Sequence, residues 1–335
     1  MILITGGTGF IGSHTAVIMQ QAGYEVLILD NLSNSSADVV TAIGKITGRT
    51  PEFVQGDIRD ARLLAQLFSK YRIQAVMHFA GLKAVGESTQ IPLAYYDNNV
   101  HGSVTLLQAM QNAGVKTFIF SSSATVYGDP QHLPLTENHP RSATNPYGHT
   151  KLVVEDILEN LYNSEPGWRI ARLRYFNPAG AHPSALIGEA PQGVPNNLMP
   201  YVAQVATGQR EQLHVFGGDY PTQDGTGVRD YIHVMDLAEG HKAALDYCLH
   251  HTQTLLTTNL GTGRGFSVLE IVRAYEQASE QPIAFTVTNR RPGDIAACWA
   301  DTKHADLTLG WTAKRGLEDI CADDWRWAQR QLVMS

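Results

Sequence analysis

A short apolar run, Met1-Ile2-Leu3-Ile4, empties into Thr5-Gly6-Gly7-Thr8-Gly9-Phe10-Ile11-Gly12, and a helical pattern follows from Ser13 to about Gln21. Few sequence features constrain a fold as tightly. A buried strand has to end where glycines let the backbone turn sharply, and a helix has to begin at once. Glycines at 6, 9 and 12 let the main chain approach a pyrophosphate, which then faces the free N–H groups and the positive dipole end of the helix. The next strand, Glu25 to Leu29, ends in Asp30. A carboxylate there accepts from an adenosine ribose 2′-hydroxyl and repels a 2′-phosphate, so the bound nucleotide is expected to be NAD rather than NADP.

The alternation continues along the chain. Glu52 to Gly56 reads as a strand, Ala61 to Lys70 as a helix and Ala75 to Phe79 as a strand. Ile91 to about Asn112 reads as one long helix, with strands at Thr117 to Ser121 and Trp168 to Arg174. Strands alternating with helices predict an α/β fold built on a doubly wound parallel sheet. Ligands gather at the carboxyl ends of such strands. Asp57-Ile58 stands at one of these ends, where an adenine is met, and Phe79-Ala80-Gly81-Leu82-Lys83 at another. Beyond about residue 180 proline and glycine become dense, from Pro183 to Gly227, which predicts a smaller, loop-rich C-terminal lobe over the sheet's carboxyl edge. Leu255 to Leu260 is a β-like run able to return to the main sheet. The expected division is therefore 1–178 for the nucleotide-binding domain, with a returning segment near 228–262, and 179–335 mainly for the substrate lobe.

Two groups of residues carry chemistry. Asn145-Pro146-Tyr147-Gly148-His149-Thr150-Lys151 contains Tyr-x-x-x-Lys, which on a helix puts Tyr147 and Lys151 one turn apart on one face. An ammonium beside a phenol favours the phenolate, so Tyr147 is a candidate base near neutral pH. Alone the pattern describes an ordinary solvated helix face; its meaning comes from following the glycine-rich turn. The fifth strand empties into Ser121-Ser122-Ser123-Ala124-Thr125-Val126-Tyr127-Gly128, whose hydroxyls are placed to reach the same substrate oxygen. In the second lobe, Arg229-Asp230-Tyr231-Ile232-His233 and Arg290-Arg291-Pro292-Gly293-Asp294 bring guanidinium groups suited to a diphosphate. Either arginine motif alone is more simply a surface ion pair.

Composition excludes other classes. The net charge is −7 with both signs scattered, so neither a nucleic-acid partner nor a membrane surface is expected. The three cysteines, Cys248, Cys298 and Cys321, are odd in number and far apart, which predicts reduced thiols and a cytoplasmic protein. Thirteen histidines show no His-Glu-x-x-His or clustered spacing, so no metal is expected.

The glycine-rich turn, Ser123-Ala124-Thr125 and Tyr147-x-x-x-Lys151 resemble the extended short-chain dehydrogenase/reductase superfamily. Within it, the chain is similar to the UDP-galactose 4-epimerase branch (the UDP-glucose 4-epimerases). The closest stretches are His78 to Ser88, Tyr95 to Asn99, Arg174 to Pro178, Pro195 to Pro200 and Asp224 to Val234, within a match running from about residue 2 to 325. The resemblance implies a Rossmann domain with tightly bound NAD, a UDP-sugar substrate and a homodimer formed by the helices at about Ile91 to Asn112 and Tyr147 to Tyr162. Tyr147 would be the base, Lys151 its electrostatic partner and a ribose ligand, and Ser123 a relay to the sugar O4. Gly6, Gly9, Phe10, Ile11, Gly12, Asp30, Asn31, Asn34, Ser35, Asp57 and Ile58 would hold NAD. So would Phe79, Ala80, Gly81, Lys83, Asn98 and Phe176, together with Tyr147 and Lys151. Lys83, Ser123, Thr125, Tyr147, Asn177, Asn197, Leu198, Phe216, Arg229, Tyr231, Arg291, Asp294 and Cys298 would contact the UDP-sugar.

The implied reaction is 4-epimerisation through a transient 4-keto sugar. A sugar-nucleotide 4,6-dehydratase would need an acid–base pair, Asp-Glu, directly after the active-site hydroxyl, where this chain has Ala124 and Thr125. A redox-sensing NAD module would not need Tyr147 and Lys151, and a net dehydrogenase would need exchangeable cofactor. Family members restricted to glucose and galactose often carry a tyrosine at the position of Cys298. The small thiol here implies room for an N-acetylated sugar, unless the neighbouring Trp299 fills the space.

Overall fold

Successive residues of a strand point to opposite faces of its sheet, so strands that are apolar at every position have to be covered on both sides. The computed structural model, which describes residues 1–193, 195–291 and 294–334, carries out this requirement. Its main sheet contains β1 (Ile2–Thr5), β2 (Val26–Asp30), β3 (Glu52–Gln55), β4 (Ala75–His78), β5 (Thr117–Ser123), β6 (Arg169–Tyr175) and, much later in the chain, β11 (Thr254–Leu260). The order is β11-β6-β5-β4-β1-β2-β3 and every ladder is parallel.

The helices sort to the two faces. Ile2, Ile4, Val26, Ile28, Met77 and Ile119 pack with α1 (Phe10–Gln21), α2 (Asp38–Thr47) and α9 (Val234–Leu249). Leu3, Leu27, Leu29, Val76, Phe118 and Phe120 pack with α3 (Ala61–Lys70), α6 (Gly102–Asn112) and α7 (Pro146–Ser164). From β1 the chain winds outward through β2 and β3, then crosses back to β4 on the other side. The reversal between β1 and β4 opens a crevice at the carboxyl ends, which is where such sheets bind ligands.

The region read as one long helix from Ile91 is more articulated. A separate helix, α4 (Val85–Gln90), precedes it, and α5 begins with Pro92 (Pro92–Tyr95). Proline suits a first helical turn because its missing N–H has no intrahelical partner there. Between α5 and α6 the turn at Tyr96–His101 is π-helical, a widening that periodicity cannot announce. The α2 helix was also absent from the sequence reading.

The second lobe contains more regular structure than its prolines and glycines suggest. Its core joins Met199 and Val202 of α8 (Leu198–Ala206), Leu213 and Val215 of β8 (Leu213–Phe216), Ile271 and Tyr275 of α10 (Val268–Ser279), and Ile320 of α12 (Leu317–Met334). Pro200 lies in the first turn of α8, where it costs no hydrogen bond. Small sheets tie this lobe to the first. β7 (Asn177–Ala179) pairs with β10 (Tyr231–His233), and β9 (Val228–Arg229) lies between β12 (Phe266–Ser267) and β14 (Ala297–Cys298). β8 pairs with β13 (Phe285–Thr288), and α11 (Lys303–Leu309) packs beside β11. Among the described residues no helix is long and apolar enough to cross a membrane.

Candidate active site

The turn after β1 is shaped by the absence of side chains. Gly6 has φ +68°, and a Cβ on it would lie 2.5 Å from the Ala80 nitrogen in the loop after β4. A Cβ on Gly12 would collide with the Gly6 carbonyl oxygen, so α1 can start this close to the turn only with glycine there. Gly9 caps α1 without a side-chain hydrogen bond, and no acidic residue occupies the first turn beside Phe10 and Ile11. The helix therefore presents uncapped N–H groups, a donor set that fits a pyrophosphate. Asp30 ends β2, as the sequence indicates. Its Oδ2 accepts from the Thr8 N–H at 3.1 Å, and its Oδ1 from the Leu32 N–H at 2.9 Å and the Ser35 hydroxyl at 3.2 Å. The carboxylate is thus fixed at the edge of the turn, as a ribose-binding acid requires. These features fit NAD.

Around that turn the other expected nucleotide residues gather. Asn31 donates to Asp57 at 3.1 Å, and Arg59 clasps the same carboxylate at 2.9 and 2.7 Å. The Arg59 guanidinium holds the Asp57 carboxyl well below the ordinary range, against the opposing pull of partial burial. Ile58 is buried. Asn34 and Ser35 accept from the backbone N–H and side chain of Gln192, at 3.2 and 2.9 Å. Phe79 and Ala80 both donate their N–H to the Thr5 carbonyl, at 3.0 and 3.1 Å, which closes the loops after β1 and β4 onto each other. Gly81 follows in the open part of that loop, and Lys83 donates to Glu189 at 3.0 Å. Asn98, in the π-helical turn, donates to Asn99 at 2.9 Å.

Asn99 itself was not singled out, although it is the buried one. Its amide bonds both the N–H and the carbonyl of Leu82, at 2.8 and 2.9 Å, and reaches Thr150 of α7 at 3.0 Å. It fastens the loop after β4 to the helix carrying Tyr147. A run of two asparagines at a strand-following helix was the available signal.

Ser123, Tyr147 and Lys151 converge at the carboxyl end of β5. The Ser123 hydroxyl accepts from the Thr125 N–H at 3.2 Å and the Thr125 hydroxyl at 2.9 Å. Asn145 caps α7 by accepting from the Gly148 N–H at 2.9 Å, with Pro146 in the first turn, so Tyr147 stands at the helix's beginning. Lys151 donates to the Ser121 carbonyl at 2.7 Å, and its ammonium lies 6.0 Å from the Tyr147 ring centre. Burial pushes the Tyr147 hydroxyl up from its ordinary value, and the hydrogen bond with Ser123 pulls the other way. The lowering of Tyr147 expected from Lys151 is not found: Ser123 is the group that opposes burial, while the ammonium donates to the Ser121 carbonyl. Burial in turn brings Lys151 down to about 8.

One turn further along the same helix face stands Glu155, fully buried. It accepts from Ser122 at 2.6 Å and from Arg174 of β6 at 2.9 and 2.6 Å. Arg174 also donates to the Glu137 carbonyl at 3.0 Å and the Tyr127 hydroxyl at 3.2 Å. Burial alone would raise Glu155, but the Arg174 guanidinium outweighs it and leaves the carboxyl lowered.

The expected substrate residues line the second lobe's side. Phe176 is buried, and Asn177 follows it in β7, in register with Tyr231 of β10. Asn197 donates to Glu189 at 2.6 Å, and Leu198 begins α8. Phe216 is over a third exposed, at 36%, with the Arg291 guanidinium 4.2 Å from its ring centre. Burial pushes the Tyr231 hydroxyl up to about 12, and Arg229 and Arg291 both pull against it, so the two arginines share one neighbourhood. Arg291 pairs with Asp294 at 3.4 Å; Pro292 and Gly293 between them lie outside the described residues. Cys298 of β14 is in register with Arg229 and packs with Val126, Tyr127, Leu135, Phe176 and Ala300. Trp299 lies instead against Gly265, where a Cβ would sit 3.0 Å from its ring, so it does not occupy the thiol's surroundings.

Chemically, the arrangement puts a phenol, a hydroxyl and an ammonium at one strand end, between a dinucleotide-type turn and a pair of arginines. The family described as GDP-mannose 4,6 dehydratase matches residues 3–323 of the chain. A UDP-glucose 4-epimerase of Bacillus subtilis (strain 168) is 58% identical over 326 residues, covering 97% of this chain and 96% of its own. A solved UDP-glucose-4-epimerase from Stenotrophomonas maltophila, with bound NAD and formylated UDP-arabinopyranose, superposes with a TM-score of 0.98 at 53% identity, covering 100% of this chain and 99% of that one. Another from Bifidobacterium longum, in complex with NAD+ and UDP, gives 0.96 at 49% identity, covering 99% and 98%.

Removing Arg174 takes away the two shortest charge-assisted bonds of the buried Glu155 and leaves it the Arg141 guanidinium, 3.4 Å away. Arg174→Met should cost about 3–5 kcal/mol in chemical denaturation. Arg174→Met combined with Glu155→Leu should cost less than the single change. A single variant within experimental error of the unmodified protein would mean that the pair carries no such weight.

Proposed function

The chain belongs to the UDP-glucose 4-epimerase family, and on that premise we propose that it interconverts UDP-glucose and UDP-galactose with tightly bound NAD. The observation that carries the reading is the meeting of Ser123, Tyr147 and Lys151 at the end of β5 (Lys151 Nζ 2.7 Å from the Ser121 carbonyl), beside a turn that fits NAD. Tyr147 takes the proton from the sugar O4 and later returns it, with Ser123 hydrogen-bonded to the same phenol. NAD held by these residues would supply the acceptor and the source of the C4 hydride, so none would be consumed. Because burial raises Tyr147, base action depends on positive charge nearby, and Lys151 keeps its proton below about pH 8.

Between the two transfers the 4-keto sugar has to present its other face. The sugar end must turn while the nucleotide end stays fixed. Arg229, Arg291, Asn197 and Tyr231 are assigned to the fixed end, where remote contacts hold the ketone in place. Asn177, Leu198, Phe216 and Asp294 complete that wall, and Lys83 and Thr125 border the crevice. The nucleotide residues named from the sequence, from Gly6 to Phe176, are assigned to NAD. Ala124 and Thr125 supply no acid–base pair for water expulsion, and Thr125 is itself hydrogen-bonded to Ser123 at 2.9 Å, which disfavours a dehydratase. The three buried free thiols suit a reducing cytoplasm.

Pure protein incubated with UDP-galactose and no added NAD should produce UDP-glucose, and acid should release NAD rather than NADP. Tyr147→Phe and Lys151→Met should each lose most of kcat while UDP binding survives. Near-normal turnover in either variant contradicts the assignment.

Substrate range rests on Cys298. A thiol occupies far less volume than a phenol, and close-packed walls yield poorly to an added group. A thiol at this position, among Val126, Tyr127 and Phe176, takes less of the wall than a phenol would, which is the space proposed for an acetamido group. UDP-N-acetylglucosamine and UDP-N-acetylgalactosamine should interconvert, and Cys298→Tyr should abolish that reaction and spare the glucose pair. No turnover of the acetylated sugar by the unmodified protein refutes the steric argument.

Assembly follows from the helices beside the site. α5 and the π-helical turn pack against α7 through Tyr96 and His149, 2.7 Å apart, and leave Ile91 and Leu93 exposed, Leu93 at 83%. Two such surfaces make a four-helix interface between copies. Light scattering at micromolar concentration should give a dimer mass, and a monomer mass counts against it.

A further inference from the structure

The stretch around Glu189 is pinned on both sides. The Trp327 indole covers Gly188 so closely that a Cβ there would lie 2.5 Å from its ring, and the indole N–H donates to the Glu189 carbonyl at 3.2 Å. Gln192 is held by Asn34 and Ser35, at 3.2 and 2.9 Å. The carboxylate between these anchors is mostly enclosed, with its side chain 8% exposed. One oxygen, Oε1, receives both the Lys83 ammonium at 3.0 Å and the Asn197 amide at 2.6 Å. Lys83 comes from the loop after β4 and Asn197 from the threshold of α8, so a single acceptor joins the two sides of the crevice. Asn197 is free for this because it does not cap its own helix.

We propose that Glu189 is a positioning residue for the nucleoside diphosphate, acting through Lys83 and Asn197; the proposal rests on the reading of this site as one for UDP-sugars. A carboxylate repels a diphosphate and is no ligand itself. It orders the long Lys83 stem before the ligand arrives, so that binding does not have to. It also sets the Asn197 amide, since a carboxylate only accepts and must be met by Nδ2. The negative charge offsets part of the attraction of Lys83 for phosphate. At a side chain 44% exposed, water screens that loss, whereas an unheld stem forfeits its orientation outright.

The test is UDP affinity by calorimetry on the protein as purified, with its cofactor, for Glu189→Gln, Lys83→Met and the double variant. Glu189→Gln should weaken UDP about tenfold, the loss of a charge-assisted hydrogen bond. The double variant should lose less than the sum of the two single losses, because Glu189 and Lys83 form one coupled unit and only the part carried through Asn197 remains separate. In turnover the loss should appear in KM for UDP-galactose rather than in kcat. Glu189→Asp keeps the charge but falls short of both partners, and it should weaken UDP in the same direction should Glu189→Gln fail to fold. Affinity unchanged or improved in the folded variants, or losses that simply add, overturn the proposal. An unmodified protein that binds UDP without epimerising defeats the functional reading and leaves this comparison standing.

Discussion

The buried pair between Glu155 and Arg174 is the constraint on which the reactive end of the molecule depends. Tyr147, Lys151 and Glu155 succeed one another at four-residue intervals and so share a stripe of α7. Two members of the stripe stand at the end of β5, and the third, Glu155, is committed mainly to the sheet, with Arg141 as a more distant partner at 3.4 Å. Its carboxylate meets Ser122 of β5 and Arg174 of β6, adjacent strands whose residues pair in register. The helix therefore cannot slide or rotate without stranding a charge in a space with no water. Burying such a pair is a poor source of net stability, but separating it is expensive. The effect on chemistry is geometric: the phenol and the ammonium are held at the end of β5 by an interaction made two turns away.

A second set of bonds works on the opposite side of the crevice. Asn99 locks the loop after β4 to α7, and Glu189 joins that loop to α8. The crevice is thus bordered by a wall built on parallel strands and by a lobe joined to it through polar links such as Lys83–Glu189 and through an apolar patch where Cys298 and Ala300 meet Val126 and Tyr127. That division suits a reaction in which one end of the substrate has to stay while the other turns. Tyr147 and Lys151 of α7 meet Ser123 at the end of β5, while the arginines proposed for the diphosphate stand on the second lobe.

Much of this was legible in the order of the residues. The glycine-rich turn, Asp30, the alternation of strands and helices and the Tyr147–Lys151 spacing are local patterns, set by periods of two and 3.6 and by glycine's backbone freedom. The stripe of apolar residues in β1 and β2 read correctly because both faces of a parallel sheet are covered. What escaped was non-local or conformationally irregular. Glu155 meets Arg174 across 19 residues and Glu189 meets Lys83 across 106, distances at which no spacing rule applies. The π-helical turn leaves no periodic trace, and α8 was masked by Pro200, which sits in its first turn. The position of Tyr147 was readable while its proton affinity was not, because burial is a property of the whole fold.

The strand order carries a consequence for how the chain comes into being. β6 lies between β5 and β11, and the residues of β11 emerge from the ribosome only after α8, β8 and α9 have been made. Until then the whole length of β6 is an open margin, with unpaired main-chain groups along one side and Ala171, Leu173 and Tyr175 lining one face. Such margins invite other strands. The nascent nucleotide-binding half is therefore a template awaiting its last strand, and the second lobe doubles as the spacer that delivers it. A stop codon or proteolytic nick between the two would expose that adhesive border, so truncation of the second lobe harms more than substrate recognition.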